Sequence, residues 1–456
     1  MASDLAKIPE LLPDILQLVF QQLTGDNETL LSVSLTCHAW RWLALPALYQ
    51  VIDISSHNNG HLPQHEYAGH IAYADQLRGE YHQQNLLPRQ RAFLRNMTEE
   101  PQLARLVKSL TWTLIWRDFE ETKLAEIDRQ TWCVFGKMVN VTRVDLASLH
   151  EVADDNYVRQ TPAGLFPKTR HLRLLGWMHR GLVKSILSSL NPSKLLSLEL
   201  DYVQDEGALP NGDSICADFV IDHAHHARSK STNRRPNPNL ARISSEIYDD
   251  DLIGRQETGQ AYIFPGPMWL PLHILSAQPL DSLTHLQVKM PPFDLETDLR
   301  GFHTTYQQTA AFIVKVRETL ESLVVGLGET EDMYSLTGPR WCGTHYAHIR
   351  GCYRPWCMEM AKLFFEQQLA ALNENSFPRL RKIHFEGFHL LRDASPREIA
   401  KAELASVLQA IQNCRFADAT FIDISSVQGR RCFEGYGDEG HIILDEGRWP
   451  ELLAKS

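Results

Sequence analysis

"KTRHLRLLGW", residues 168–177, sets His171 and Arg173 in alternation with Leu172 and Leu174. A period of two puts polar side chains on one side of an extended chain and apolar ones on the other, which predicts a strand with one buried face. The same phrase, an apolar residue, about two polar ones and then alternating apolar positions, occurs along most of the chain. It reads LVKSLTWTLIW at 106–116, VTRVDLASL at 141–149 and KLLSLELDYV at 194–203. Further on it reads SLTHLQVKM at 282–290, TLESLVVGL at 319–327, RLRKIHFEGF at 379–388 and ATFIDISSV at 419–427. Helical stretches lie between several of these strands, among them RGLVKSILSSL at 180–190 and MEMAKLFFEQQLAALNE at 358–374. Strands alternating with helices predict a mixed α+β or α/β protein with a parallel sheet.

The spacing from Val144 to Leu172 is 28 residues and from Leu172 to Leu198 is 26. Both fit a repeat, and the phrase resembles degenerate leucine-rich repeats. Each unit buries its apolar strand face only by stacking on the next, so the resemblance implies an irregular α/β solenoid over residues 105–450. A doubly wound α/β domain is the competing fold, although no glycine-rich phosphate turn follows any of the strands. If the repeats hold, the polar strand residues form one face. These are Arg143 and Asp145, His171 and Arg173, Glu199 and Asp201, Gln287 and Lys289, and His384 and Glu386. The row mixes signs, so it singles out neither a phosphate nor an acid as its target, and a solvated face without a ligand is the plain alternative.

Upstream, Leu12, Ile15, Leu16, Val19, Phe20 and Leu23 recur at helical spacing. Pro13 suits the first helical position, Asp14 the positive end of the dipole, and Gly25 the stop. Asp26 or Asn27 can cap a second helix carrying Leu30, Leu31, Val33 and Leu35. A third, with Trp40, Leu43 and Leu48, tolerates Pro46 only near its end. Three helices this short have too little interior for all these side chains, so part of the surface meets a downstream domain or another protein.

LPDILQLVFQQL (12–23) followed by LLSVSLTCHAWRWLALPALY (30–49) resembles the F-box, the adaptor-docking module of cullin–RING ubiquitin ligases. The matching positions are Leu12, Pro13, Ile15, Leu16, Val19, Phe20, Leu23, Leu31, Ser34, Leu35, Cys37, Trp40, Leu43, Leu48 and Tyr49. The resemblance spans residues 8–52, and the inter-helix loop TGDNET is a little longer than the family's usual one. It implies that these helices dock a Skp-family adaptor, with Trp40 chiefly internal. A helical cap on the downstream domain is the alternative.

An F-box module, a connecting segment at 53–104 and a repeat domain resemble the substrate receptor of an SCF-type ubiquitin ligase. Such a chain holds a target protein while adaptor, cullin and RING subunits deliver ubiquitin; it is not an enzyme and needs no cofactor. A scaffold that binds the adaptor without serving a ligase is the second hypothesis. An enzyme with an unrecognised site is the third.

Composition narrows the classes. With 43% hydrophobic and 22% charged residues the chain is ordinary globular material, and its net charge of −11 argues against a nucleic-acid partner. No apolar run approaches the roughly 20 residues of a membrane span. MASDLAKIPE lacks the features of a secretory leader, and eight scattered cysteines suit a reducing compartment. The expected location is intracellular, in cytoplasm, nucleus or both.

Catalytic and metal motifs are weak. In HEYAGH the two histidines, His65 and His70, are five residues apart, about 140° out of register on a helix. The segment 205–260, with His223, His225 and His226, is expected to be a disordered insertion. WCGTHYAHIRGCYRPWC, at 341–357, offers Cys342, His345, His348, Cys352 and Cys357, a set zinc would accept, but the spacing matches no paired knuckle. Packing of Trp341, Tyr346, Tyr353 and Trp356 is the simpler account. There is no Gly-x-Ser-x-Gly elbow and no Walker loop, and GLGETEDMYSLTG at 326–338 lacks a phosphate-binding lysine.

Overall fold

The computed structural model of the chain describes residues 13–57, 82–114, 129–148, 164–206, 268–290, 299–326, 363–386, 421–426 and 440–444. Three short helices come first: α1 (Pro13–Gln22), α2 (Asn27–Ser34) and α3 (His38–Leu48). Pro13 occupies the first helical position, where its missing N–H is no loss. Gly25 turns the chain at φ 99°, and the Asp26 carboxylate accepts from the Thr29 N–H to start α2. Phe20, Leu30, Ala44 and Ala47 form the bundle's small core, with Leu16, Leu23, Val33, Leu43 and Leu48 against it.

Among the described residues ten strands follow in one sheet: β1 (Val51–Ile54), β2 (Ser109–Leu114), β3 (Arg143–Ser148), β4 (His171–His179), β5 (Ser197–Glu206), β6 (His285–Lys289), β7 (Ser322–Gly326), β8 (Lys382–Glu386), β9 (Phe421–Ser426) and β10 (Gly440–Leu444). Their spatial order is their chain order. Neighbours are parallel from β1 to β9, and β10 closes the row antiparallel to β9. A doubly wound sheet needs a reversal of strand order, and these ten strands contain none. The sheet begins at Val51, inside the stretch the sequence divides between docking module and connector.

Alternation decides the two faces. Leu110 and Trp112, Val144 and Leu146, Leu172 and Leu174, Leu198 and Leu200, Leu286 and Val288, and Leu323 and Val325 are all buried on one side. Helices cover that side in a row: Arg180–Leu187 touches Trp269–Ser276, which touches Leu299–Lys315, which touches the segment 364–374. The Lys315 ammonium lies on the carbonyls of Leu275, Ser276 and Gln278, at the negative end of the neighbouring helix. Under β2 and β3 the core is aromatic: Trp112 meets Phe135 edge-on at 5.4 Å, and Phe135 meets Phe166 at 5.4 Å.

One irregularity shapes the middle of the sheet. The β4–β5 register shifts between Leu175 and Trp177, so Tyr202 and Val203 stand opposite the single residue Gly176. Gly176 has φ +79° and Tyr202 φ 54°, and a Cβ on Gly176 would come within 2.2 Å of the Ser148 carbonyl oxygen. Only glycine fits this bulge.

The helix Leu87–Glu99 packs Leu87, Phe93, Leu94 and Met97 into the large core, so this part of the connector belongs to the body. Asp205 and Glu206, expected to open the disordered insertion at 205–260, instead end β5; the rest of that insertion, the HEYAGH stretch and the cysteine–histidine segment 341–357 lie outside the described residues.

Candidate interaction surfaces

Two surfaces gather the residues singled out by the sequence. The first is the outside of the α1–α3 bundle. Ile15, Leu18 and Val19 on α1, Leu31 on α2, Leu35 at its end and Trp40 and Trp42 on α3 all stand exposed, Leu35 at 77%. Pro13 and Cys37 are exposed beside them, and the Cys37 thiol accepts from the Trp40 N–H at 3.5 Å, capping α3. Leu16, Leu23 and Leu43 are half-buried against the bundle core. Leu48 and Tyr49 turn toward the large core, where burial and then the nearby Glu100 carboxylate push the Tyr49 phenol up from its ordinary value. Leu12 lies outside the described residues.

Two placements differ from expectation. Trp40, expected inside the bundle, is 38% exposed and only leans edge-on against Phe20, with ring centroids 6.1 Å apart. Phe20, at 3% exposure, fills the centre instead and has no surface left for a second chain. The bundle interior is built on alanines at 44 and 47, which leaves room for one large ring. Leu18 and Trp42 are further exposed apolar residues outside the set singled out by the sequence. Trp40 and Trp42 sit about 200° apart on a helix, so both cannot face one core. The Trp42 indole N–H donates to His38 Nε2 at 3.1 Å.

The second surface is the polar face of the sheet. Register places Arg143 and His171 in one cross-strand row with Ser197 and His285. The next row holds Asp145, Arg173, Glu199, Gln287 and His384, and the third holds Asp201, Lys289 and Glu386. Nine of the ten residues expected on this face share it, and Glu386 holds the matching register position. At its centre the Arg173 guanidinium lies 2.8 Å from Asp201, 3.5 Å from Asp145 and 3.6 Å from Glu199. Gln287 donates to the other Asp201 oxygen at 2.7 Å.

One guanidinium thus serves three carboxylates. Burial works against the Arg173 charge, but Asp201, Asp145 and Glu199 together outweigh it and hold the group firmly protonated. Burial first, then the neighbouring Asp201, pushes the Glu199 carboxyl above its ordinary range, against the pull of Arg173. His285, 3.9 Å from Glu199, is held below the usual imidazole value by burial and by His171, with Asp201 pulling the other way. His171 is lowered by burial, then by Arg143 and Arg170.

His57 is an unexpected member. Its ring bridges the Thr113 hydroxyl (2.8 Å from Nδ1) and Asp145 (3.1 Å from Nε2). The Ser56 N–H also donates to the Thr113 oxygen. A hydroxyl, an imidazole and a carboxylate in series suggest a nucleophile, yet the His57 side chain and Thr113 are fully enclosed. The array ties β1, β2 and β3 together. VIDISS at 51–56 nearly repeats FIDISS at 421–426, which would have marked β1 as a strand.

Among the described residues no three His, Cys, Asp or Glu side chains gather to hold a metal ion, and no helix is long and apolar enough to cross a membrane. Comparison with family models, with curated proteins and with solved structures gives no match for this chain.

Proposed function

We propose that the chain is the substrate-recognition subunit of an SCF-type cullin–RING ubiquitin ligase, acting inside the cell. The α1–α3 module is an F-box that docks a Skp-family adaptor, which links it to cullin and RING subunits. The sheet is an irregular leucine-rich-repeat solenoid whose polar face, from Arg143 to Glu386, holds a target protein. The chain contributes no chemistry of its own; it raises the effective concentration of the target near the conjugating enzyme.

The observation that carries this reading is the exposed apolar set Ile15, Leu18, Val19, Leu31, Leu35, Trp40 and Trp42 on a module of three helices. Water-facing leucines and tryptophans in this number on so small a unit favour a partner that covers them. The chain-order sheet with buried leucines on one face supports the solenoid.

The test is capture of a Skp-family adaptor and cullin by the full chain, against Leu31→Asp with Leu35→Asp. Both positions are exposed, so the fold survives and adaptor capture falls sharply. Undiminished capture by the double variant overturns the placement of the interface. Adaptor capture with cullin excluded replaces the ligase receptor by a ligase-independent scaffold.

A further inference from the structure

At the N-terminal ends of the strands the turns stack as regularly as the strands do. The Thr142 and Arg143 N–H groups donate to the Lys108 carbonyl, those of Arg170 and His171 to Thr142, and those of Leu196 and Ser197 to Arg170. The same ladder runs on through the turns at Thr284 and Glu321, where Asp281, Glu318 and Glu321 bring in acid; its basic part is four segments, 105–111, 137–143, 164–171 and 191–197. Together they hold seven lysines and arginines and no aspartate or glutamate, in a chain whose net charge is −11. Six of the seven, Arg105, Lys108, Arg143, Lys168, Arg170 and Lys194, are exposed. Asn140 knits two of them together, donating to the Arg105 carbonyl and accepting from the Lys168 ammonium, each at 2.8 Å.

None of the six makes an ion pair among the described residues. This contrasts with Arg173 on the same sheet, which shares three carboxylates. The local field is also felt by His171, whose ring is held down by burial and then by Arg143 and Arg170. Concentrated positive charge on an acidic protein is a cost in self-repulsion that a bound anion relieves.

We propose that this rim is a docking site for an acidic polypeptide segment of a protein partner. Its extent favours a peptide over a nucleic acid. Strands β2 to β5 are separated by three intervals of about 4.8 Å, so the row of cations spans roughly 15 Å. An extended peptide covers that with four to five residues at about 3.3 Å each. Single-stranded nucleic acid binds through stacking aromatics, and the only aromatic in the four segments apart from His171 is Phe166, which is buried. The acidic remainder of the molecule repels a polyanion longer than the rim. The proposal holds with or without an adaptor on the helical module.

The experiment is fluorescence anisotropy on the full chain, without adaptor. The probes are a peptide with a short run of glutamates, its glutamine counterpart and an oligothymidylate of equal charge. The glutamate peptide binds, the glutamine peptide does not, and rising salt weakens the complex. Arg143→Glu with Arg170→Glu, both exposed, weakens it about tenfold or more, because two attractions become repulsions. Lys108→Glu with Lys194→Glu gives the same loss and serves if the first pair disturbs folding. Equal binding by the charge-reversed chains, no peptide binding at low salt, or preference for the oligothymidylate overturns the proposal. Adaptor capture is measured separately, so the two readings fail independently.

Discussion

Arg173→Leu removes the guanidinium that Asp145, Glu199 and Asp201 share, while leaving a side chain to pack. The Asp201 carboxylate is fully buried, and Asp145 keeps only 11% of its side chain in water. Breaking a buried pair by deleting one partner costs about 3–5 kcal/mol, because the surviving charge stays buried. Arg173 itself is 26% exposed, so solvent screening reduces the expectation to about 2–4 kcal/mol. The sign with pH is fixed by the three carboxylates left facing one another. In the variant the folded state takes up protons more readily than the unfolded chain, so its stability falls as pH rises through and above the carboxylate range. The deficit against the wild type is therefore largest near neutral pH and shrinks on acidification. Urea unfolding of both chains at several pH values measures it directly. Arg173→Lys keeps a charge but loses the planar fork and recovers part of the loss. A deficit below about 1 kcal/mol at neutral pH, or one that does not change with pH, refutes the charge-sharing account.

Gly176→Ala forces a side chain into the left-handed region and onto the Ser148 carbonyl, and thermal unfolding should report a loss of about 2–4 kcal/mol. Phe20→Ala should cost about 3–5 kcal/mol and Trp40→Ala clearly less, about 1–2 kcal/mol; the reverse order in chemical denaturation would place Trp40 in the core. His171 and His285 are both held below the free imidazole value of 6.5, so the unfolded chain protonates first as pH falls. Stability should drop below about pH 6.5, and His171→Gln with His285→Gln should flatten that slope in melts taken across the range.

The strands β2 to β9 were legible because a period of two is local: Leu172 and Leu174 declare their side of the sheet without reference to anything distant. β1 was not, since its four residues follow directly on a helix and only the echo of FIDISS marks them. Helix Trp269–Ser276 escaped notice for a different reason. WLPLHILS is apolar nearly all round, because helices flank it on both sides and the sheet lies beneath, so it shows no stripe. The polar face was readable in membership but not in wiring. Nothing in the sequence says that Arg173 reaches three acids, or that His57 joins Asp145 from 88 residues away. Trp40 was expected inside the bundle, whereas a core of Leu30 and the alanines at 44 and 47 takes Phe20 as its one large ring.

Between the last turn of α3 and the first residue of the sheet there are only Tyr49 and Gln50. Leu45 is already seated in the large core, and Leu48 touches both it and the bundle core. A joint this short, pinned on both sides, is a weld. Whatever rests on the helices and whatever rests on the sheet are therefore held at a set bearing, as two jaws cut from one piece of metal. Slack spliced in after Leu48 would leave each jaw intact and destroy their alignment.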